Sequence, residues 1–144
     1  MSKYLEKSQL PHFWQKIKDY VDSKMTSGSS FTYSTSERWT GDYWIDGKKI
    51  YCKTVSLGAM PNNTTKYVAH GVTNIDRFIK IDGVAKASSN GNHLILPYVN
   101  FYNSSNSITF YVGKINIELH TGGNNSAYDS GYVILYYTKN YGGS

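Results

Sequence analysis

The side chains that could carry acid–base, nucleophilic or metal chemistry are spread thinly along this sequence of 144 residues. The histidines do not fall at the short intervals of zinc-binding motifs. The sequence also lacks a phosphate-binding glycine loop, a G-x-S-x-G elbow and a His-Glu-x-x-His helix. The four histidines are His12, His70, His93 and His120. Because no catalytic constellation can be named, we expect no enzyme activity, no cofactor and no metal site.

The carboxylates of the central and C-terminal chain could act as a glycosidase pair only if the fold brought two of them together. Their spacing does not favour such a pair. Asp46 is explained by a turn, and Asp129 stands in a Gly/Asn/Ser loop where aspartate is common. The carboxylates considered are Asp42, Asp46, Asp76, Asp82, Glu118 and Asp129.

Cys52 is the only cysteine, so the chain can form neither an intrachain disulfide nor a cysteine-based metal cluster. It falls on a predicted strand, without a helix N-terminus or a basic cluster to lower the pKa of the thiol. We therefore interpret it as a small packing residue.

A binding role is better supported, because aromatic residues make up 15% of the chain and 14 of them are tyrosine. Trp39, Tyr43 and Trp44 share one predicted strand, and the loop at residues 121–131 contributes Tyr128 and Asp129. Aromatic rings beside adaptable hydrogen-bonding groups suit carbohydrate recognition. The competing interpretation, which we favour, is that these aromatics fill the core or a subunit interface, since alternate strand residues must face inward.

The formal net charge of +5 raises the question of nucleic-acid binding. Basic residues are scattered singly, and no basic stripe alternates with aromatics as a phosphate-tracking groove requires. We expect no nucleic-acid partner. Because no signal-peptide-like or membrane-spanning apolar run is present, we also expect folding in a cytoplasm and no membrane contact.

Asp46-Gly47 is the strongest structural signal in the chain. It separates two runs of large and β-branched residues, at 39–45 and 48–55. This pattern predicts a β-hairpin with a two-residue turn in which both residues adopt positive φ.

The chain after this hairpin also has the pattern of short strands. Residues 115–119 alternate cleanly, which predicts one buried and one solvated face. Gly83 is a candidate bulge, and Pro97 restricts its segment to an edge or bulged strand. We expect residues 121–131 to form a long mobile loop and residues 132–138 a central or interface-facing strand. The other predicted strands are 66–70, 77–86, 93–102 (after a turn at Asn90-Gly91) and 108–112.

About eight short strands predict an antiparallel β-sandwich or jelly roll. An amphipathic helix precedes it within residues 1–25, with Ser8 as N-cap and Pro11 in the first turn. The sequence leaves three roles open for its apolar stripe. The stripe could dock onto the β domain of the same chain, form a parallel bundle of identical helices, or anchor the chain in another protein. The predicted organisation is helix 1–25, linker 26–37 and sandwich 38–144. The stripe consists of Leu10, Phe13, Trp14, Ile17, Tyr20 and Val21.

Several segments, in order, resemble a module found in structural proteins of tailed bacteriophages. They are YST (33–35), WIDGKKIY (44–51), KT (53–54), PNNT (61–64), VAHG (68–71), NID (74–76), LPYV (96–99) and YVILYYTK (132–139). The segment LPHFWQKIKDYVD (10–22) is similar to helices that open many phage tail and fibre proteins. Residues 37–39 and 128–130 depart from the module's pattern.

This resemblance implies a component of the virion surface, made in the host bacterial cytoplasm. It would be a fibre, fibre tip or baseplate-associated domain, homotrimeric, with the sandwich outermost. The implied partners are further copies of the chain, other capsid or tail proteins, and a host cell-surface glycan. No catalytic residue is carried over from the family. The alternatives are a decoration or assembly protein without receptor binding, and a monomeric carbohydrate-binding module.

Overall fold

The computed structural model of the protein describes residues 10–28 and 31–140. The chain divides into two compact units between Thr32 and Tyr33. The first unit contains helix α1, Leu10–Gly28, and the second contains all the strands. The helix continues three residues past the predicted end at residue 25. Pro11 lies in its first turn, where a missing N–H costs nothing, and the predicted N-cap Ser8 lies outside the described residues.

The second unit is an antiparallel sandwich of two sheets, which confirms the predicted fold class. The strand order is β1-β2-β8-β4-β5 in the large sheet and β3-β7-β6 in the small sheet. The bounds are β1 Arg38–Tyr43, β2 Lys49–Ser56, β3 Thr65–Ala69, β4 Ile75–Lys86, β5 His93–Leu96, β6 Thr109–Val112, β7 Asn116–His120 and β8 Ser130–Lys139. β8 pairs with β2 on one side and β4 on the other, so the predicted central position of this strand is confirmed.

The core lies between the inner faces of the two sheets. β8 contributes Val133, Leu135 and Tyr137, and β7 contributes Ile117 and Leu119, all fully buried. The alternation predicted from residue 115 is thus confirmed from residue 117 onward. Ile115 precedes β7 and is exposed, because the chain is still turning there.

The first hairpin forms as predicted, but its turn is different. The N–H of Gly47 donates to the carbonyl of Trp44 at 2.8 Å, and the N–H of Trp44 donates to the carbonyl of Lys48 at 2.8 Å. The loop is therefore three residues long, and of Asp46 and Gly47 only Gly47 has positive φ, at 84°. Asp46 instead accepts a hydrogen bond from the N–H of Lys48 on its side chain, at 3.0 Å. A turn closed by a glycine bulge is the common solution for three-residue hairpins.

Gly83 is not a bulge, so that prediction is wrong. The irregularities of β4 lie between Ile75 and Arg77 and between Phe78 and Lys80. A Cβ on Gly83 would approach the Cβ of Leu96 to 3.0 Å. The glycine permits close packing rather than a break in register.

The second hairpin, at Asn90-Gly91, is confirmed with a longer loop. The N–H of Ala87 donates to the carbonyl of Asn92 at 2.8 Å, and Gly91 adopts a φ of 76°. β5 ends at Leu96, directly before Pro97, and lies at the edge of the large sheet as predicted. Proline has no N–H for a neighbouring strand, so it is excluded from central strands but tolerated at the edge of a sheet.

Residues 121–131 are tied down rather than loose, contrary to the expectation of a mobile loop. Thr121 and Asn125 are buried polar residues. The Asn125 amide donates to Thr121 Oγ1 at 2.7 Å and to the carbonyl of Asn106 at 3.2 Å. Thr121 Oγ1 in turn donates to the carbonyl of Ser105 at 3.1 Å. These bonds join two loops at one end of the sandwich, and polar composition alone could not reveal this burial.

The segment predicted as a linker over 26–37 is ordered against the sandwich in its second half. The carbonyl of Ser34 accepts a hydrogen bond from the N–H of Thr54 at 2.9 Å. The hydroxyls of Tyr33 and Tyr136 are 2.8 Å apart. Tyr33 and Ser34 are therefore hydrogen-bonded to the large sheet, whereas residues 26–28 continue the helix.

Asn125 provides a test of the anchored loop. We expect Asn125→Ala to lower the free energy of unfolding by about 1–3 kcal/mol, because two hydrogen-bond acceptors lose their donor in a buried site. Asn92→Ala is the matched control, since the Asn92 side chain is exposed, and it should change stability by less than about 0.5 kcal/mol. Urea unfolding of both variants measures the difference, and equal stabilities would contradict the anchoring role.

Candidate functional site

The aromatic residues of the first hairpin form an exposed cluster on the edge strand β1. The rings of Trp39 and Tyr43 meet edge to face, with centroids 5.9 Å apart and planes at 69°. The ammonium group of Lys49 lies 4.6 Å from the centre of the Trp39 ring. Trp39 is 45% exposed and Tyr43 58% exposed, so neither fills the core of its own chain. We call Trp39, Tyr43 and Lys49 the hairpin cluster.

An irregularity in β1 brings these two rings together. The register between β1 and β2 shifts between Trp39 and Tyr43, and Gly41 within this stretch has a φ of 90°. Thr40 Oγ1 donates to the carbonyl of Ile50 at 2.8 Å and accepts from the N–H of Asp42 at 3.2 Å. The bulge re-aims side chains, as bulges on edge strands often do.

Asp76 fastens the hairpin to the middle of the large sheet. Its Oδ2 lies 3.0 Å from Lys48 Nζ and accepts a hydrogen bond from Thr138 Oγ1 at 2.9 Å. Arg77 Nε is farther away, at 3.8 Å. The hydrogen bond from Lys48, followed by that from Thr138, holds the pKa of Asp76 below its ordinary value.

Glu37, directly before β1, joins the same end of the large sheet to β8. It accepts hydrogen bonds from the hydroxyl of Tyr137 at 2.6 Å and from Lys139 Nζ at 2.9 Å. The Tyr137 ring is buried, stacked on Tyr51 and edge-on to Phe78. Burial first, and the neighbouring carboxylate second, raise the pKa of Tyr137 above its ordinary value. The bonds of Glu37 and Asp76 thus hold together the strands at the end of the sheet where the hairpin cluster lies.

Tyr128 and Asp129 do not join the hairpin cluster. Tyr128 is partly buried against the core, and its carbonyl accepts a hydrogen bond from the N–H of Met60 at 2.9 Å. Asp129 accepts from the N–H and hydroxyl of Ser88, at 3.0 and 2.9 Å, and these bonds lower the pKa of its carboxyl group. Both residues therefore have structural partners.

The two groups of predicted ligand residues lie at opposite ends of the large sheet. Tyr51, beside Trp39 on β2, pairs with Tyr137, and Asp129 precedes Tyr137 by eight positions on the chain. At a rise of about 3.3 Å per residue this is a separation of about 26 Å. Trp44 is half-buried at the start of the hairpin turn. A single site can include Trp39, Tyr43 and Trp44, but not Tyr128 and Asp129 as well.

A second exposed surface escaped the sequence-based selection of binding residues. Tyr67 on β3 and Tyr111 on β6 both pair with Glu118 on β7, which forms a row across the small sheet. The neighbouring row consists of Thr65, His120 and Thr109. The alternation of β7 predicts that Glu118 and His120 face water, but sequence alone does not show which strands flank them.

Two of the groups considered for catalysis, His70 and Cys52, are buried. His70 is buried, accepts a hydrogen bond from the N–H of Val72 on Nδ1 at 3.0 Å and therefore donates from Nε2 to the carbonyl of Gly113 at 3.1 Å. Cys52 is buried as expected, and burial raises the pKa of its thiol. Among residues 10–28 and 31–140, no three His, Cys, Asp or Glu side chains are placed to hold a metal ion.

An open depression of about 510 Å³ lies where β4 begins, beside the turn between β6 and β7. Its volume is in the range of small-molecule sites. Its charged lining residue is Lys114, accompanied by two asparagines, one threonine and apolar side chains. This lining offers neither an acid–base pair nor a nucleophile.

Comparisons with protein-family models, with curated proteins and with solved structures yield no significant match. The resemblance to phage structural proteins therefore stays a prediction that depends on the segments quoted above. Within the described part of the chain, no helix has both the length and the apolar character needed to cross a membrane.

Asp76 gives a pH-dependent prediction. Because the folded-state pKa lies below the unfolded value of about 3.9, the ionised carboxylate stabilises the fold above that pH. This contribution disappears as the pH falls through the folded-state pKa. The stability difference between the wild type and Asp76→Asn should thus be present at pH 7 and shrink below about pH 4.

Urea unfolding at a series of pH values measures this difference. Thr138→Val is the companion variant, because it removes one hydrogen bond to Asp76 and leaves the carboxylate and Lys48 in place. It should retain part of the pH dependence. A wild-type advantage over Asp76→Asn that is constant from pH 7 to pH 3 would contradict the role of the ionised carboxylate.

Proposed function

We propose that the chain is a non-enzymatic, homotrimeric fibre protein of a tailed-phage virion that contributes to attachment at the host surface. The observation that carries this proposal is the apolar stripe of α1. All six of its side chains are exposed, by 39% to 65%. A stripe of this size requires a partner surface.

The spacing of the stripe suits a bundle of identical helices. Leu10, Phe13, Ile17 and Tyr20 follow the three–four spacing of two heptads, and Gln15 and Asp19 hydrogen-bond at 2.9 Å on the opposite face. Each large apolar side chain gains about 1.5–3 kcal/mol when it is fully buried. A helix of this length is marginal alone in water, so association would also stabilise the helix itself.

The outer face of the large sheet offers a second surface for side-by-side packing of sandwiches. Tyr132 of β8 is directly opposite Val84 of β4, which is opposite Ile95 of β5, and Ile95 is 78% exposed. Ile134 lies two residues farther along β8, opposite Asp82. This apolar face is continuous across three strands. In a threefold assembly each sandwich would bury part of it against a neighbour.

Attachment to the host would use surfaces that such an assembly leaves exposed, and the hairpin cluster is one of them. The partners are then further copies of the chain, other capsid or tail proteins and a cell-surface glycan. The site of action is the virion surface. The exposed aromatic residues of β1 also favour a second candidate, a monomeric carbohydrate-binding module, which differs from the first in oligomeric state.

The mass of the full-length protein in solution tests the proposal. We expect a trimer for the wild type and monomers for Ile17→Asp, because a bundle would bury three carboxylates at its axis. His12→Asp is the matched control. It introduces the same side chain on the polar face, four residues before Lys16, and should remain trimeric.

Light scattering coupled to size-exclusion chromatography measures these masses. A monomeric wild type would overturn the fibre proposal in favour of the monomeric module. If Ile17→Asp stayed trimeric, assembly would belong to the sandwich faces and the helix would be left as the virion anchor. In that case Ile134→Asp should dissociate the trimer.

A further inference from the structure

We infer that the outer face of the small sheet is a glycan-binding platform, formed by Tyr67, Glu118 and Tyr111 with His120 beside them. The ligand class is a linear oligosaccharide that is neutral or N-acetylated. The inference names a site for the host attachment in the proposed function, and it rests on that proposed function. The arrangement of the row lies within one chain and does not depend on oligomeric state.

The register of the sheet places these side chains in one row. Glu118 on the central strand β7 is directly opposite Tyr67 on one side and Tyr111 on the other. Ile117 and Leu119, the chain neighbours of Glu118, are buried in the core, so the row faces outward. Tyr67 and Tyr111 are each 62% exposed.

The distance across the row matches a sugar chain. Two strand spacings separate the backbones of Tyr67 and Tyr111, which is about 9.6 Å. This is close to the length of two linked pyranose rings, so alternate sugars of the chain can each lie against one tyrosine. A tyrosine ring offers an apolar face of negative potential, which suits the polarised C–H groups of a pyranose, and a hydroxyl at its rim.

Glu118 supplies the polar recognition between the two rings. Within residues 10–28 and 31–140, its carboxylate has no hydrogen-bond or ion-pair partner, and neither tyrosine hydroxyl has one. A carboxylate forms short, strong hydrogen bonds with hydroxyl donors, and adjacent sugar hydroxyls can both donate to it. Glu118 is therefore placed to fix the orientation of a sugar that the rings hold loosely.

His120 extends the polar surface by one row. Its Nδ1 lies 2.8 Å from Thr65 Oγ1, which fixes the plane of the imidazole. Thr109 Oγ1 donates to the carbonyl of His120 at 3.0 Å and so holds the start of β6 against the end of β7. The remaining ring nitrogen, Nε2, is available to a ligand hydroxyl. A site whose groups are held before binding loses less conformational entropy when the ligand arrives.

The charge of the platform argues against an anionic polymer such as nucleic acid. Stacking on tyrosines could hold nucleobases, but such sites also need cations along the backbone path. Lys66 is next to Tyr67 in the chain, and its ammonium group donates instead to the carbonyl of Ala59 at 2.9 Å. Glu118 would repel phosphate groups at the centre of the row.

The hairpin cluster is less suited to the same ligand. Its two rings are nearly perpendicular, at 69°, and Lys49 lies over the Trp39 ring. One aromatic face is thus taken by a cation and the second ring meets the first by its edge. The small-sheet row has no comparable internal pairing among the described residues.

A glycan array probed with full-length protein tests the inference, with affinities then measured by calorimetry on β-glucan and N-acetylglucosamine oligomers from disaccharide to hexasaccharide. We expect binding that strengthens with chain length. Tyr67→Ala and Tyr111→Ala should each weaken it about tenfold, which is within the range found when one aromatic ring that stacks on a nucleobase is removed. Glu118→Gln keeps the shape and should weaken binding several-fold. Tyr102→Ala is the matched control, because Tyr102 is fully exposed in the loop after β5, outside both surfaces, and it should bind as the wild type does. Tyr43→Ala reports on the hairpin cluster.

Each result decides the matter. The inference is overturned by the absence of binding to any glycan, by binding only to sulfated or carboxylated glycans, or by loss of binding in Tyr43→Ala but not in Tyr67→Ala. Unchanged melting temperatures exclude misfolding of these exposed variants. A trimer that binds no glycan overturns the platform alone, and a monomer that binds through Tyr67 and Tyr111 overturns the fibre proposal alone. Loss of trimers in the platform variants would assign the face to subunit contact.

Discussion

Two-sided pairing of β8 is the constraint on which the sandwich depends. The strand is hydrogen-bonded to β2 along one edge and to β4 along the other, so it cannot shift by one residue without exchanging its two faces. Val133, Leu135 and Tyr137 would then leave the core together. This register determines which end of the sheet carries the hairpin cluster and which carries the loop at Asp129.

Hydrogen bonds to two carboxylates satisfy the buried hydroxyl groups that the strand pairing places inside the sheet. The hydroxyl of Tyr137 cannot stay in an apolar core without an acceptor, and Glu37 provides it from outside the ladder. Asp76 does the same for Thr138 and brings Lys48 to the sheet. Both carboxylates lie at the hairpin end, so the bonds of Glu37 and Asp76 support the strands that carry Trp39 and Tyr43.

Strand positions could be predicted from sequence because alternation and turn residues are local signals. The hairpin at Asp46-Gly47, the wet and dry faces of β7 and the edge position of β5 all follow from such signals. The packing role of Gly83 and the burial of Asn125 do not, because each depends on a residue far away in sequence: Leu96 for Gly83 and Asn106 for Asn125. The turn at Asp46-Gly47 is local, but an Asp-Gly pair suits hairpin loops of more than one length, so the pair alone does not fix the turn geometry. The same limit applied to the candidate site. Trp39 and Tyr43 are close in sequence and proved to be neighbours, whereas the row formed by Tyr67, Tyr111 and Glu118 exists only through strand order.

The ordering of residues 33–37 against the sheet sets the boundary of the sandwich as an exchangeable unit. A recombination junction at Arg38, where the first strand begins, would separate the sheet from Ser34 and Glu37. The transplanted domain would carry a buried tyrosine hydroxyl without its acceptor and an unpaired N–H on β2. A junction between α1 and Tyr33 would keep all of these bonds. Chimeras that join this sandwich to another helix or shaft should therefore be cut before Tyr33, and natural gene shuffling would be selected to respect the same boundary.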